Sequence, residues 1–281
     1  MEDFYLNSRG LAGYFEAQWF DKFVEDKQVD AITSESKLVP LSFAKSSHCS
    51  QVADFITQAV SKNGKPPHAL LGVGAALGRN YYELVQRLDS LKQATLVEPS
   101  GMLLNGLKQL LVEEQQVELT YIHGLNTLKT VEVDNRELVQ NCAHVDLELI
   151  NQPLEKDTVS KFYDLVVCLN VLDQCESPLR VINALKQATQ IGGVLVVSCT
   201  YQWNAKHIKD RAEAVDDIKA YFGEDWRFVS EAEHEYRMRF NERYAMQFFI
   251  SRGCLRKNNL AAYSILDTNK KPSTESSVFV L

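Results

Sequence analysis

The hydrophobic positions in the first sixty residues recur at helical spacing. One stripe comprises Leu11, Tyr14, Phe15, Trp19, Phe20 and Phe23, and a second comprises Val52, Phe55, Ile56 and Val60. Apolar residues three and four positions apart share one face of a helix, so each stripe predicts an amphipathic helix. We expect these helices, within residues 1–60, to cap the fold and cover one side of a ligand site.

Farther along the chain, short apolar runs alternate with helical segments. The predicted strands are 68–73, 94–98, 145–151, 163–170 and 194–198, and the predicted helices are 81–88, 102–111 and 178–188. Such alternation is typical of a parallel sheet covered by helices. Two later runs, 228–233 and 245–251, predict antiparallel strands that close one edge. The prediction is an α/β, Rossmann-like fold with a mixed seven-stranded sheet flanked by helices.

The rest of the chain comprises an insertion, a late helical segment, a glycine turn and a tail. Residues 117–144 contain short β-like pieces, which predict an inserted hairpin near the pocket. Residues 203–222 have a largely helical pattern, and Gly192 and Gly193 predict a turn between a helix and a strand. The tail is polar. We therefore divide the chain into an N-terminal helical cap (1–60), an α/β domain (61–256, with the insertion) and a polar tail (257–281).

A glycine-rich turn follows the first strand. Gly72, Gly74 and Gly78, with Ala75, occupy the end of the strand and the start of a helix. Glycine permits a sharp turn, and the N–H groups of a helix start can meet an anion such as a carboxylate or a diphosphate. Glu98 ends the next strand, twenty residues after Gly78. A carboxylate at that place can accept hydrogen bonds from ribose hydroxyls, so the pattern predicts a nucleotide-type cofactor.

Further polar and aromatic side chains follow later strands. Asn170 and Asp173 can orient an amine or an imidazole, or can simply cap the next helix. Tyr201 and Trp203 can wall a planar substrate or pack in the core. Arg237 and Arg239, on a polar stretch before the last strand, suit the carboxylate of an amino-acid substrate, with solvated surface charge as the alternative. Arg79 can bind an anion or pair with Glu83 one turn along.

Composition narrows the classes of partner. The 37 acidic and 30 basic residues give a net charge of -7 with no basic block, which does not favour nucleic acid. No apolar run approaches the roughly 18 residues of a membrane span, so we expect a soluble, cytoplasmic protein. Six histidines and six cysteines show no metal-ligand spacing, and we predict no metal site and reduced thiols.

The glycine turn, Glu98, the strand 163–167 and the segment 192–197 together resemble class I S-adenosylmethionine-dependent methyltransferases over about residues 68–200. More narrowly, the segments 74–79, 170–173, 200–203 and 235–240 resemble the methyltransferase domain of ovothiol-forming sulfoxide synthases. That domain methylates an imidazole nitrogen of 4-mercaptohistidine. Residues 164–179 also resemble animal methyltransferases that modify histidine side chains in proteins.

This resemblance implies S-adenosylmethionine as cofactor and a small imidazole or amino-acid acceptor. It places Gly72, Gly74, Ala75, Gly78 and Glu98 at the cofactor, together with Asn151 and Asn170. Asp173, Tyr201, Trp203 and Arg237 then bind the acceptor. Methyl transfer from a sulfonium needs a positioned nucleophile and excluded water rather than a metal or a covalent intermediate, so no catalytic residue is assigned.

Two positions depart from the family's pattern. An acid that helps hold the methionine end is usual at the position of Gly72, and an aspartate that contacts the adenine amino group is usual at that of Asn151. The Asn151 carbonyl can still accept a hydrogen bond, whereas Gly72 offers no side chain.

Two other functions fit parts of the pattern. The glycine turn with Glu98 also suits an NAD(P)-dependent oxidoreductase, although the chain contains no Tyr-x-x-x-Lys pair. A methyltransferase-like fold that has lost catalysis and serves as a binding or regulatory protein would explain the missing acids. The sequence leaves the identity of the acceptor and the oligomeric state open.

Overall fold

The computed structural model describes residues 7–23, 47–203 and 205–257. Its helices and strands are α1 (Ser8–Phe23), α2 (His48–Asn63), β1 (Ala69–Val73), α3 (Arg79–Val85), β2 (Gln93–Val97), α4 (Gly101–Leu111), β3 (Gln116–His123), β4 (Thr127–Asp134), α5 (Arg136–Cys142), β5 (Asp146–Ile150), β6 (Tyr163–Leu169), α6 (Pro178–Ala188), β7 (Thr189–Cys199), β8 (Trp226–Asn241) and β9 (Tyr244–Lys257). The rest of the predicted cap, and the tail from residue 258, lie outside the described residues.

Seven strands form one sheet in the order β5-β2-β1-β6-β7-β9-β8. The first five in this order run parallel, and β9 is antiparallel to both β7 and β8. The prediction of an α/β fold with a mixed sheet is confirmed. The strand order reverses between β1 and β6, and ligands of open α/β sheets bind at such a reversal, at the carboxyl ends of the strands.

The central strands owe their place to continuous apolar sequence. Leu165 and Val167 in β6 pack in one core cluster with helices α1 to α4, whereas Val166 and Cys168 pack on the opposite face against α6. A strand covered on both faces needs apolar residues at odd and even positions. Helix α6 begins where Ser177 accepts the N–H of Arg180, with proline as its first residue.

Two hairpins extend the structure. Strands β3 and β4 form a separate two-stranded antiparallel sheet within the predicted insertion. Strands β8 and β9 are far longer than predicted. Cys199 at the end of β7 lies level with Ser251 and Glu233, so β8 continues eight residues beyond the sheet edge, about 26 Å. The hydrophobic pattern did not predict this extra length, because two antiparallel strands can pair through their backbones without a continuous apolar face.

Two further predictions are wrong. The described residues of the range 203–222 form the 3₁₀ turns Arg211–Glu213 and Ile218–Tyr221 instead of a helix. The carboxylates of Asp210 and Asp217 cap these turns, and such side chains favour short capped turns over helix interiors. The two glycines at 192–193 lie inside β7, at an irregularity in its pairing with β6, and not in a turn before the strand.

Helix α1 joins the long arm to the glycine turn. Glu16 pairs with Arg239 of β8 at 2.8 Å, and both side chains are buried. One turn farther on, the Trp19 indole donates to the Leu77 carbonyl at 2.9 Å, and the Gln18 side chain accepts from the Leu77 N–H at 3.2 Å. The first helix is therefore fixed directly above the loop that follows β1.

Candidate functional site

Backbone strain concentrates at the carboxyl ends of three strands. Among the described residues, the non-glycine residues with positive φ are Ala76 (48°), Asn170 (57°) and Tyr201 (56°). They follow β1, β6 and β7 respectively, which are neighbours in the sheet. Each such conformation costs about 1–3 kcal/mol and typically persists where function requires it. The strain marks the same edge that the strand reversal indicates.

The glycine turn is tightly packed against the residue that follows Asn170. Gly74 has φ 69°, and a Cβ built on it would lie 2.4 Å from Cγ2 of Val171. Gly78, with φ 79°, faces Leu107 and Leu111 of α4 at 2.6–2.9 Å in the same way. Both glycines are required by conformation and by contact. The turn thus joins the ends of β1 and β6.

The backbone N–H groups of the glycine turn itself are all used within the protein. The Gly74 and Ala75 N–H groups donate to the Val97 carbonyl, and Gly78 donates to Ala75. Ala76 donates to Glu98, and Leu77 donates to Gln18. Every N–H from residue 74 to residue 78 is therefore satisfied by the protein. The first N–H groups of α3, from Arg79 onward, have no acceptor within the helix and are the backbone donors that an anion could meet here.

The packing of Gly74 makes a stability prediction. Gly64→Ala places an alanine at φ 73° in open space, so it should cost about 1–2 kcal/mol of unfolding free energy. Gly74→Ala adds the overlap with Val171 and should cost a further 1–3 kcal/mol or so. Urea unfolding of both variants measures the difference, and Val171→Ala should restore part of it. Equal losses at the two positions would contradict the packing.

Glu98 sits at the end of β2 as the sequence predicts. One carboxylate oxygen accepts the Ala76 N–H and the other accepts the Ser100 N–H, each at 2.9 Å. Burial raises the pKa of this carboxyl, while the two backbone donors oppose the rise. Because a carboxylate can accept about four hydrogen bonds, capacity for ligand hydroxyls remains. Glu98 also fixes the glycine turn to the start of α4.

Asn151 and Gly72 flank this group. The Asn151 amide donates to the carbonyls of Glu98 (2.9 Å) and Pro99 (3.1 Å), and its Oδ1 faces the Gly101 Cα. The oxygen is thus oriented by the two donor bonds. Gly72 lies within β1, where a Cβ would meet Leu96 at 2.6 Å. The neighbouring leucine fills the space of a side chain there.

Asn170 follows β6 and is held by β7. Its backbone N–H donates to the hydroxyl of Ser198 at 3.1 Å, and that hydroxyl donates to Asn170 Oδ1 at 2.7 Å. The side-chain oxygen is therefore used within the protein, and the amide NH₂ is the group left for a ligand.

Asp173 is the most unusual polar group at this edge. Its side chain is 1% exposed, and Oδ2 accepts from the Thr200 hydroxyl and from Gln174 at 3.3 Å. Oδ1 is buried and has no hydrogen-bond partner among the described residues. Burial raises the pKa of this carboxyl, opposed mainly by the bond from Thr200. A buried acceptor without a donor costs about 1–3 kcal/mol, which a ligand N–H could recover.

Tyr201 and Trp203 lie beside each other after β7. Their rings meet edge to face with centroids 6.3 Å apart. Both rings are half-buried, and the segment after β7 holds them: the Tyr201 hydroxyl accepts the Ile218 N–H (3.3 Å), and the Trp203 indole donates to Val215 (3.0 Å). Both also pack on the core cluster beneath α6. Thr200, which directly precedes Tyr201, donates a hydrogen bond to Asp173. The two rings therefore form an aromatic wall near Asn170 and Asp173.

Arg237 and Arg239 have other surroundings than predicted. Arg237 belongs to β8 itself, on the arm, and not to a polar stretch before the last strand; it contacts Glu235 and is half-exposed. Arg239 is buried and paired with Glu16 instead of being solvated or free to bind a substrate.

For Arg79, the predicted pair with Glu83 is the alternative that the structure shows. Arg79 pairs with Asp21 at 2.6 Å and Glu83 at 2.8 Å, and it lies over the Trp19 ring. Its burial ties α1 to α3.

The opposite edge of the sheet carries a groove. Four of its lining residues, Ala69, Gln93, Asp146 and Tyr163, are the first residues of strands. The other lining residues are Ala94, Thr95, Glu148, Lys161 and Phe162. The groove lies at the amino ends of β1, β2, β5 and β6, whereas ligands of such sheets bind at the carboxyl ends. The groove is thus separate from the candidate site.

The described residues carry neither a metal cluster nor a membrane-spanning helix, and five of their cysteines are free. Among these residues, no group of three or more His, Cys, Asp or Glu is arranged to hold a metal ion. Within the same residues, none of the helices combines the length and the apolar character needed to cross a bilayer. Five cysteines, at 49, 142, 168, 175 and 199, are free thiols, and burial raises the pKa of Cys175 and of Cys199 to about 12.

No protein-family model matches the sequence, and no curated protein matches it. Among solved structures, the N-methyltransferase NodS from Bradyrhizobium japonicum WM9 with S-adenosyl-L-homocysteine is 12% identical, with a TM-score of 0.49 over 83% of this chain and 100% of that one. Magnesium protoporphyrin IX methyltransferase (ChlM) from Synechocystis PCC 6803 is 15% identical, with a TM-score of 0.46 over 90% and 98%. At such levels the substrates of those enzymes do not transfer to this chain.

Proposed function

We propose that this protein is an S-adenosylmethionine-dependent methyltransferase that acts on a small imidazole or amino-acid acceptor, with N-methylation of 4-mercaptohistidine as the specific candidate. The observation that carries the proposal is the arrangement of the carboxyl edge in two adjoining halves. Gly74, Glu98 and Asn151 form the cofactor half, to which we also assign the amide NH₂ of Asn170, and Asp173 belongs to the acceptor half. The two halves meet where Val171 contacts Gly74.

The first half fits an adenosyl cofactor better than a dinucleotide. The buried Glu98 carboxylate lies where two ribose hydroxyls can donate to it, and the Asn151 Oδ1 can accept from an adenine amino group. The N–H groups of residues 74–78 are already bonded, so the turn offers a diphosphate fewer donors than an unbonded glycine loop would, and the first N–H groups of α3 are left to meet an anion. An antiparallel β9 inside the sheet also departs from the parallel order of dinucleotide-binding folds.

Gly72, Ala75 and Gly78 contribute to the cofactor half through their small size. None carries a polar side chain, and the contacts of Gly72 and Gly78 leave no room for one. We assign them to the walls of the cofactor site. The missing acid at Gly72 then costs affinity for the methionine end of the cofactor without removing the ribose contact.

The second half suits a flat acceptor that carries an N–H. Asp173 Oδ1 can accept that N–H, and Tyr201 and Trp203 can pack beside the ring. We place Arg237 at the carboxylate of the acceptor, because the arm that carries it stands above the same edge.

The cofactor supplies an electrophilic methyl group on a sulfonium. The protein's share is to hold a ring nitrogen with its lone pair toward that methyl and to exclude water. A new N–C bond forms as the S–C bond breaks, which leaves a positive charge on the methylated ring. Asp173 stabilises that charge through the ring's second N–H.

Glu98→Ala should weaken S-adenosylmethionine and S-adenosylhomocysteine binding at least about tenfold, because two hydrogen bonds to a charged group are lost. Calorimetric titration with both ligands and with NAD measures this. Glu98→Gln keeps one accepting oxygen, so its affinity for both adenosyl ligands should lie between those of Glu98→Ala and the unmodified protein. The matched control is Glu132→Ala on β4, an exposed acid of the hairpin, which should bind as the unmodified protein does.

Each alternative has its own outcome in this titration. Binding of NAD alone would support the oxidoreductase and overturn the proposal. Binding of neither ligand class, with the fold intact by circular dichroism, would favour the binding or regulatory protein without catalysis. Unchanged adenosyl binding in Glu98→Ala would refute the assignment of Glu98.

A further inference from the structure

The end of β7 presents two hydroxyl side chains, Ser198 and Thr200, two positions apart. In extended chain such residues share a face. Ser198 reaches Asn170, and Thr200 reaches Asp173, so the two hydroxyls hold the two polar side chains that follow β6.

The direction of the Thr200 hydrogen bond is fixed by its second contact. Its Oγ1 accepts the Gln202 N–H at 3.2 Å, which leaves the hydroxyl proton for a neighbouring acceptor. That acceptor is Asp173 Oδ2. The Thr200 hydroxyl therefore donates its hydrogen bond to a lone pair of Asp173 Oδ2. The other oxygen, Oδ1, stays without a partner among the described residues although the side chain is 1% exposed.

We propose that Thr200 is a positioning residue: it holds Oδ2 of Asp173 so that Oδ1 is the single acceptor for the N–H of a neutral azole. This inference rests on the proposed function and specifies its substrate class. A ring with one N–H and one lone-pair nitrogen meets the requirement, whereas a quaternary or fully substituted nitrogen does not.

The proton balance follows from this placement. Methyl transfer converts the neutral ring into a methylated cation that still carries its N–H. That proton passes to Asp173 Oδ1, giving a neutral methylated ring and a carboxylic acid. Water then takes the proton from Asp173 when the product leaves. Thr200 donates to the carboxylate throughout and neither gains nor loses a proton.

The direct test is the titration of Asp173, followed by carbon-13 NMR of the carboxyl and assigned with Asp173→Asn. Thr200→Val removes the donor at constant shape and should raise the pKa of Asp173 by about 1–2 pH units. Thr200→Ser should restore the original value. Ser198→Ala is the matched control, since it removes a neighbouring hydroxyl that binds Asn170, and it should leave this pKa in place. An unchanged pKa in Thr200→Val would overturn the proposal.

Imidazole itself serves as the acceptor probe. With S-adenosylhomocysteine present and at about pH 8, where the free ring is neutral, its binding measured by NMR should weaken about tenfold in Thr200→Val and in Asp173→Asn, and should recover in Thr200→Ser. Equal binding in all variants would refute the azole assignment. The titration of Asp173 needs no cofactor, so failure of S-adenosylhomocysteine to bind would count against the proposed function and would not affect the test of Thr200.

Discussion

Arg239→Met should lower the free energy of unfolding by about 3–5 kcal/mol, because it leaves the Glu16 carboxylate buried without its partner. Glu16 is fully buried, and burial raises its pKa while Arg239 opposes the rise. Arg239 also donates to the Ile122 carbonyl, and Glu16 accepts the Ile122 N–H at 2.6 Å. One ion pair therefore joins α1, β3 and β8.

Urea unfolding at neutral pH measures this loss, and Arg237→Met is the matched control. Arg237 lies two residues earlier on the same strand, but its pair with Glu235 is half-exposed, so its removal should cost at most about 1 kcal/mol. The double variant Glu16→Leu, Arg239→Met should recover only part of the loss, since Ile122 would keep an unpaired N–H and C=O. A loss in Arg239→Met no greater than in Arg237→Met would contradict the structural role of the pair.

Asp173→Asn should reduce methyl transfer about 10²–10⁴-fold, the usual contribution of a positioned proton acceptor. Transfer of labelled methyl from S-adenosylmethionine to a panel of imidazole acceptors, including 4-mercaptohistidine, measures the effect. Cofactor affinity should stay unchanged, because Asp173 belongs to the acceptor half. Asp89→Asn, an exposed acid before β2, is the control. Full activity in Asp173→Asn would remove Asp173 from the acceptor site.

The same variant should change the pH dependence of stability. The folded-state pKa of Asp173 is raised above the ordinary 3.8, so the stability it contributes is present below that value and is lost as pH rises through the folded-state pKa. An asparagine has no such dependence. Unfolding by urea should show Asp173→Asn gaining stability relative to the unmodified protein between about pH 4 and pH 7. A gain that shrinks with rising pH would contradict the sign.

Local patterns in the sequence were sufficient for the elements of the sheet. β6 is a continuous apolar run because both its faces are covered, and α6 begins with a serine cap followed by proline. Glu98 and Asn170 could be placed at strand ends from spacing alone, since parallel strands present their carboxyl ends at one edge. The failures are equally local: capped 3₁₀ turns replace a helix in 203–222, and the β8–β9 arm lacks an apolar signal.

The contacts between distant segments could not be predicted from the sequence. No spacing rule indicates that Gln18 accepts the Leu77 N–H, a bond that fixes α1 to the glycine turn. The i, i+2 hydroxyls Ser198 and Thr200 were a visible signal, but their partners on another strand were not. The sequence by itself determined the central parallel strands and the acids that follow them, because these depend on near neighbours. Only the tertiary structure decided which N–H groups are already used, and that Asp173 Oδ1 is buried without a partner, because both depend on residues brought together from separate parts of the chain.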